Sequence, residues 1–395
     1  MKPIIDLIQR LSLSDPELRY PEYAPADGKV HVLYMAVPFN ATGLYRCILP
    51  AIMLNNTTTH CAIINDMQDW SEHNRFRSQG VPITDQLIRW AHYIIFPTVF
   101  SPNEQFKKLL SEFKKLNPHA KIVIDVDDDI TSISPHHPNN KRYTPAFVAN
   151  VIFNMISCDY VTCTHERLCQ NYSISIDAWV GVLKNKPEFY ALPNLMSRMT
   201  IPHSPLTTHH SPLTIGITAN STQMADLMLI RKPLINIIKK YGDKIQIFLF
   251  GWDGKQYNGK FFIDVFRGLK HTHIKPVILT DYFTALQNLQ YDIALMPLVD
   301  NQFNRMKSNH KLLQYAMLGI PVIAPDMPPY NEAPIPRFPP IPYLKIHSGE
   351  WELCIKRMIE NKIVRKATAS DAGEIVKNYF IEDNISIWQE CFKKY

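Results

Sequence analysis

Short runs rich in isoleucine and valine recur along this chain, and most show little alternation of apolar with polar residues. They fall at Val30–Val37, Cys61–Asn65, His92–Phe96, Lys121–Asp125 and Asp159–Cys163, then at Leu213–Thr218, Ile245–Phe250, Lys275–Leu279, Asp292–Met296 and Pro321–Ala324. A strand with one wet face alternates, whereas a strand covered on both faces of a parallel sheet does not. Helix-like stretches lie between the runs, as parallel strands joined by crossover helices require. The chain is therefore expected to be an α/β protein with parallel sheets.

Its 395 residues suit two domains. The segment Ser197–Pro212, SRMTIPHSPLTTHHSP, is poor in apolar residues and rich in Pro, His, Ser and Thr, so it reads as a linker. This gives an N-terminal domain over residues 1–196, a linker over 197–212 and a C-terminal domain over 213–370. A final helical segment, 371–395, carries apolar stripes at Ile375, Val376, Tyr379 and Phe380 and at Ile385, Trp388 and Phe392. It is expected to pack back toward the N-terminal domain. Near the start, Ile4, Leu7, Ile8 and Leu11 form one face of a short helix, suited to packing on the protein or to peripheral membrane contact. Asp6 and Arg10 interrupt that run, and it does not read as a secretion signal. No apolar stretch is long enough to span a bilayer. The seven cysteines are scattered without a CxxC pair, which argues for reduced thiols and a cytoplasmic setting rather than a zinc site or a disulfide framework.

Charge is uneven. Residues 1–195 carry 18 Lys and Arg against 19 Asp and Glu, while residues 196–395 carry 24 against 17. The second half therefore attracts anions: nucleic acid, an acidic membrane surface or a phosphorylated small ligand. There is no arginine-rich run to favour a polyanion.

The segment DNQFNRMKSNHKLLQYAMLGIPVIAPD, Asp300 to Asp326, narrows the choice. Ser308 reads as an N-cap, and Leu312, Leu313 and Ala316 share one face of the helix that follows. Gly319 stands where a helix C-terminus needs a left-handed residue, and Pro321 ends the helix. Lys307, Ser308 and Asn309 then sit at a helix N-terminus beside Lys311. Free N–H groups, the helix dipole and lysines together fit a diphosphate; an exposed cationic loop is the plainer reading of the same residues.

A second informative run is KIVIDVDDDI, Lys121–Ile130, which ends an apolar strand in Asp125, Asp127, Asp128 and Asp129. Strand ends are where α/β folds bind ligands. The aspartates read as acceptor-binding or general-base groups, Asp127 and Asp128 foremost, as a divalent-cation site, or as helix caps on a solvated turn. His136 and His137 follow them. The chain lacks GxSxG, GxGxxG, a Walker loop and HExxH, which lowers the hydrolase, dehydrogenase, NTPase and zinc-protease readings.

The arrangement FNxxKSxxKLLxYAxLGIPVIA resembles the nucleotide-sugar site of GT-B glycosyltransferases, especially family 4-like enzymes. The likeness extends, in order, through ATGLYRCILPAIML (Ala41–Leu54), the Asp-rich strand end found in a bacterial and phage subset, CDYVTCTHERL (Cys158–Leu168), ALPNLM (Ala191–Met196), IGITANSTQMADL (Ile215–Leu227) and YFTALQNLQYDIALMPL (Tyr282–Leu298). It implies two Rossmann-like domains whose parallel sheets face each other across a cleft. It also implies roles. Lys307, Ser308, Asn309 and Lys311 would hold the donor diphosphate, with Asn304 lining the same pocket. Gln314 would meet the donor ribose, with Thr218 and Asn220 lying across the cleft from the diphosphate. Gly43, Tyr45 and Arg46 would form a flexible loop aiming a cation at the cleft. Gln314 and Met306 occupy the places where many members carry glutamates, so this chain departs from the pattern there.

What the resemblance implies is transfer of a sugar from a nucleotide-diphosphate sugar to an acceptor hydroxyl, with retention of configuration. No tightly bound cofactor and no metal are expected. The acceptor is left open between a surface-glycan intermediate and a hydroxylated, phage-type DNA base. The expected location is the cytoplasm, including the inner membrane surface or a phage host's cytoplasm. A nucleotide-sugar binder without activity and a non-enzymatic DNA-binding protein are the rival readings.

Overall fold

The computed structural model describes residues 28–38, 40–66, 83–97, 101–134, 137, 140–180, 186–198, 200, 212–252, 256–257, 260–261, 266–347 and 349–393. The N-terminal stripe Ile4–Leu11, His136, His209, His210 and residues 201–211 of the expected linker lie outside them. Among the described residues no helix is long and apolar enough to cross a membrane.

The chain divides into two compact units. The first takes in the described residues up to Thr131, those within Tyr143–Thr200 and those from Phe380 onward; the second takes in those within Ser132–Arg142 and Ile201–Tyr379. Ser197 and Thr200, expected in the linker, are buried in the first unit. The expected boundary at 370/371 falls inside a helix, Lys362–Val376, and the chain changes units only after Tyr379.

The first unit holds a six-stranded sheet built from β1 (Val30–Val37), β2 (His60–Asp66), β3 (Tyr93–Pro97), β4 (Lys121–Val126), β5 (Tyr160–Cys163) and β6 (Glu188–Ala191). The order is β2-β1-β3-β4-β5-β6, every pair parallel. The second unit holds β7 (Leu213–Thr218), β8 (Ile245–Phe250), a two-stranded ribbon β9 (Gln256–Tyr257) and β10 (Lys260–Phe261), then β11 (Thr272–Ile274), β12 (Ile293–Leu295), β13 (Val322–Pro325) and β14 (Leu344–Ile346). Its large sheet runs β11-β8-β7-β12-β13-β14, again parallel throughout. Ile215, Ile217, Ile247, Leu249, Ile293 and Ile323 are buried between helices, which is why those strands read as unbroken apolar runs.

One device recurs in both units. Asp159, just before β5, donates its N–H to the Ile122 carbonyl and accepts the Ile122 N–H on its carboxylate at 2.8 Å. Asp292, just before β12, treats Thr214 of β7 the same way, also at 2.8 Å. A carboxylate caps the start of a central strand pair in each.

The expected strand Lys275–Leu279 is not formed. β11 ends at Ile274, and a helix begins at Leu279. Pro276 has no N–H for a ladder, and Val277 and Ile278 point to solvent. Close packing elsewhere is dictated by single glycines. Gly43 has an ordinary helical φ of −59°, yet a Cβ there would lie 1.7 Å from the Pro38 carbonyl oxygen. Gly43→Ala is therefore expected to lower stability by about 3 kcal/mol or more through this clash alone. Differential scanning calorimetry checks it, and an unchanged melting temperature would contradict the close approach.

Candidate functional site

In the second unit the helix His310–Met317 ends as the sequence reading expects. Gly319 has φ +64°, its N–H reaches the Ala316 carbonyl, and the Ile320 N–H reaches Tyr315. The start differs by one residue. Asn309 occupies the N-cap position, and no side chain caps the helix. Ser308 instead places its hydroxyl 2.9 Å from His310 Nδ1. Burial, with Lys311 and Lys307 nearby, pushes the His310 imidazole down to about 3, so this ring is neutral.

Lys311 reaches the carboxyl end of β7. Its Nζ donates to the Thr218 carbonyl at 2.9 Å and to Gln223 Oε1 at 3.0 Å. Burial and the neighbouring Lys307 charge lower its pKa to about 8, with Asp226 pulling the other way. Lys307 lies with its Nζ 5.0 Å from the centre of the Phe303 ring. His137, from the segment that packs with this unit, meets the same ring edge-on at 5.5 Å. Burial and then Lys307 lower the His137 pKa. Two ammonium groups are thus held near each other and near a helix N-terminus, an arrangement that an anion relieves.

Other expected site residues are spent on structure. Asn304 is buried, and its amide N donates to Asp226 Oδ1 at 3.1 Å and to the Val299 carbonyl at 2.9 Å. Asn220 caps the short turn Ser221–Gln223: its side-chain Oδ1 accepts from the Thr222 N–H at 2.9 Å. Gln314 is buried, and its Oε1 accepts from the Tyr282 hydroxyl at 3.1 Å. Met306 is buried too, and its thioether cannot replace a carboxylate toward a hydroxyl. Asp226, in the first turn of the helix Met224–Tyr241, is absent from the sequence reading. It accepts from the Val299 N–H at 2.8 Å as well as from Asn304.

In the first unit the Asp-rich run divides by role. Asp125 forms a buried two-pronged pair with Arg46: Nε to Oδ2 at 2.9 Å and Nη2 to Oδ1 at 2.5 Å. Thr162 adds its hydroxyl to Asp125 Oδ1 at 2.6 Å, and Arg46 Nη1 donates to the Leu192 carbonyl. The sequence reading made Gly43, Tyr45 and Arg46 a flexible loop aiming a cation outward. In the structure Gly43 ends one helical turn, Tyr45 and Arg46 lie in a π-helical turn, Leu44–Ile48, and all three are buried. Arg46 is held by Asp125 because an unpaired buried guanidinium would be far costlier.

Asp129 caps its own turn, accepting from the Thr131 N–H at 3.0 Å and hydroxyl at 2.6 Å. Asp128 is exposed, and its carbonyl accepts from Tyr172 at 2.7 Å. Asp127 is the chemically distinctive member. Its Oδ2 accepts from the Thr42 hydroxyl at 2.6 Å. Burial and then the Asp128 charge raise its pKa to about 6, over the opposing pull of Thr42 and Arg46. Among the described residues no group of three or more His, Cys, Asp or Glu side chains is arranged to hold a metal ion.

No family model matches the chain, and no curated protein matches it in sequence. Solved structures do. An alpha-glucosyltransferase, in complex with UDP-glucose and DNA containing an abasic site, superposes with a TM-score of 0.65 at 10% identity, covering 92% of this chain and 98% of that one. HepE of Anabaena, in complex with UDP and glucose, gives 0.58 at 11% identity, covering 91% and 98%. A mutant of S. aureus TarM, in complex with fondaparinux, alpha-GlcNAc-glycerol and UDP, gives 0.51 at 13% identity and covers 78% of this chain. The chain spans 56% of the TarM chain. At these identities the likeness defines the fold: two parallel six-stranded α/β units of the GT-B glycosyltransferase type.

Proposed function

We propose that this chain is a glycosyltransferase that moves a sugar from a nucleotide-diphosphate sugar to an acceptor hydroxyl. The observation that carries the reading is the lysine pair, Lys307 and Lys311, at the carboxyl end of β7 and the N-terminus of the helix His310–Met317. When the bond from the anomeric carbon to the diphosphate breaks, charge gathers on the leaving oxygen. Cations fixed there beforehand lower that barrier. The solved structures of the same fold that contain UDP or UDP-glucose support a nucleotide-sugar donor.

Asp127 serves the acceptor: ionised, it accepts a hydrogen bond from, or takes the proton of, the attacking hydroxyl. The acid limb of kcat/KM should therefore have a midpoint near pH 6, with activity rising as pH increases through it. Asp127→Asn should remove that limb and lower kcat/KM by about 100-fold. An unchanged acid limb in this variant excludes the role. Folding responds in the opposite sense. A carboxyl group with a raised folded pKa contributes its stability at low pH and loses it as pH rises through about 6.

The acceptor class follows from a salt series. A DNA acceptor requires binding that weakens steeply with ionic strength, whereas a glycan acceptor does not. One related fold was solved with DNA containing an abasic site, which supports keeping the DNA arm in that test.

A further inference from the structure

We propose that Asp226 is the positioning residue of the lysine pair: its buried carboxylate fastens the turn that leads to Lys307 and is the resident counter-charge of both ammonium groups. The inference rests on the reading of Lys307 and Lys311 as a diphosphate site. Asp226 is 5% exposed, in the first turn of the helix Met224–Tyr241. Its Oδ1 accepts from the Val299 N–H and from Asn304 Nδ2. Asn304 also binds the Val299 carbonyl, and the Lys307 N–H in turn reaches the Asn304 carbonyl at 3.3 Å. One oxygen thus holds both ends of the segment from Val299 to Asn304, and Lys307 lies three residues beyond it.

Asp226 also acts through its charge. Two ammonium groups close together repel, and burial makes the repulsion stronger. The charged groups acting on Lys311 are Lys307, which lowers its pKa, and Asp226, which raises it; His310 is neutral. Asp226 in turn feels burial first, which raises its own pKa, and then Lys307 and Lys311, which lower it. Tyr330 packs near the same carboxylate and is held neutral by burial. Asp226 opposes burial and the Lys307 repulsion at Lys311, whose pKa of about 8 leaves it charged at neutral pH, and one carboxylate set against two ammonium groups leaves the pair net positive.

The test compares wild-type protein with Asp226→Asn, which keeps an oxygen for the Val299 N–H but removes the charge. In ligand-free protein, Lys311 acylation by an amine-reactive reagent is followed by mass spectrometry across pH. Wild-type Lys311 should be half-reactive near pH 8. In Asp226→Asn the midpoint should fall by about half a pH unit or more. UDP affinity, measured by calorimetry, should begin its alkaline decline at correspondingly lower pH. Identical midpoints overturn the counter-charge role. A shifted midpoint in a protein that binds no UDP upholds that role and overturns the diphosphate reading. Should Asp226→Asn fail to fold, Asn304→Ala replaces it: the charge stays while the turn loses its tie. UDP affinity should then fall several-fold with the Lys311 midpoint unchanged; undiminished UDP affinity overturns the positioning role.

Discussion

Lys307→Ala is expected to lower kcat/KM by about 100- to 1,000-fold, the scale on which losing one preorganised group at a developing negative charge is felt. The loss should appear mainly in kcat, because the charge that Lys307 meets grows as the sugar–phosphate bond stretches. Folding should be almost untouched. The side chain lies over Phe303, a contact worth about 0.5–1 kcal/mol at a partly exposed site, and its attraction to Asp226 is opposed by its repulsion from Lys311. Circular dichroism and a melting curve check that the variant is intact, and steady-state kinetics with a radiolabelled donor give the rate. A folded variant with wild-type turnover would remove Lys307 from the chemistry.

Arg46→Met should cost stability rather than chemistry, about 3–5 kcal/mol, because it leaves the buried Asp125 carboxylate without its cation. Asp125→Leu should cost a similar amount for the converse reason. The double variant should be less damaged than either single one, since replacing both members of a buried pair with apolar side chains removes the desolvation penalty along with the attraction. Thr162 and the Leu192 carbonyl also lose their partners, so recovery will be incomplete. Urea unfolding of the three variants checks this. Additive losses in the double variant would mean that the pair is not the source of the effect.

These two residues also mark what the sequence made legible. β1, β7 and β8 match the sequence reading to the residue, because a strand buried on both faces leaves a continuous apolar signature. β6 and β14 are missed: they are short edge strands, with exposed Glu188 and Lys345 in place of apolar residues. KPVIL reads as a strand by composition, but proline and solvent exposure at Val277 and Ile278 place it outside the sheet. Around the lysine pair, the helix, its glycine stop and its flanking cations are local features and could be read directly. The tasks of Arg46 and Asp226 could not, since each depends on partners more than seventy residues away in the chain. The aspartate run shows the same limit. Four identical side chains acquire a buried ion pair, a hydroxyl partner with a raised pKa, an exposed position and a cap only through what the fold brings against each.

If Lys307 and Lys311 form a nucleotide-diphosphate site, UDP must stabilise the protein against heat, and by an amount that depends on pH. At pH 7, UDP at 100 times its dissociation constant should stabilise the protein by about 2.7 kcal/mol, a rise of several degrees in melting temperature. At pH 9.5, above the Lys311 pKa of about 8, the increment should shrink markedly, because binding must first restore a proton to that amine. The ligand-free protein moves the other way through this one group: a lysine whose folded pKa is lowered adds stability as pH rises from about 8 to about 10.4. A UDP shift that is large at pH 7 and small at pH 9.5, and absent in Lys307→Ala, is the predicted result. No shift with UDP, or with the guanosine, adenosine and cytidine nucleotides tried in its place, would contradict the account.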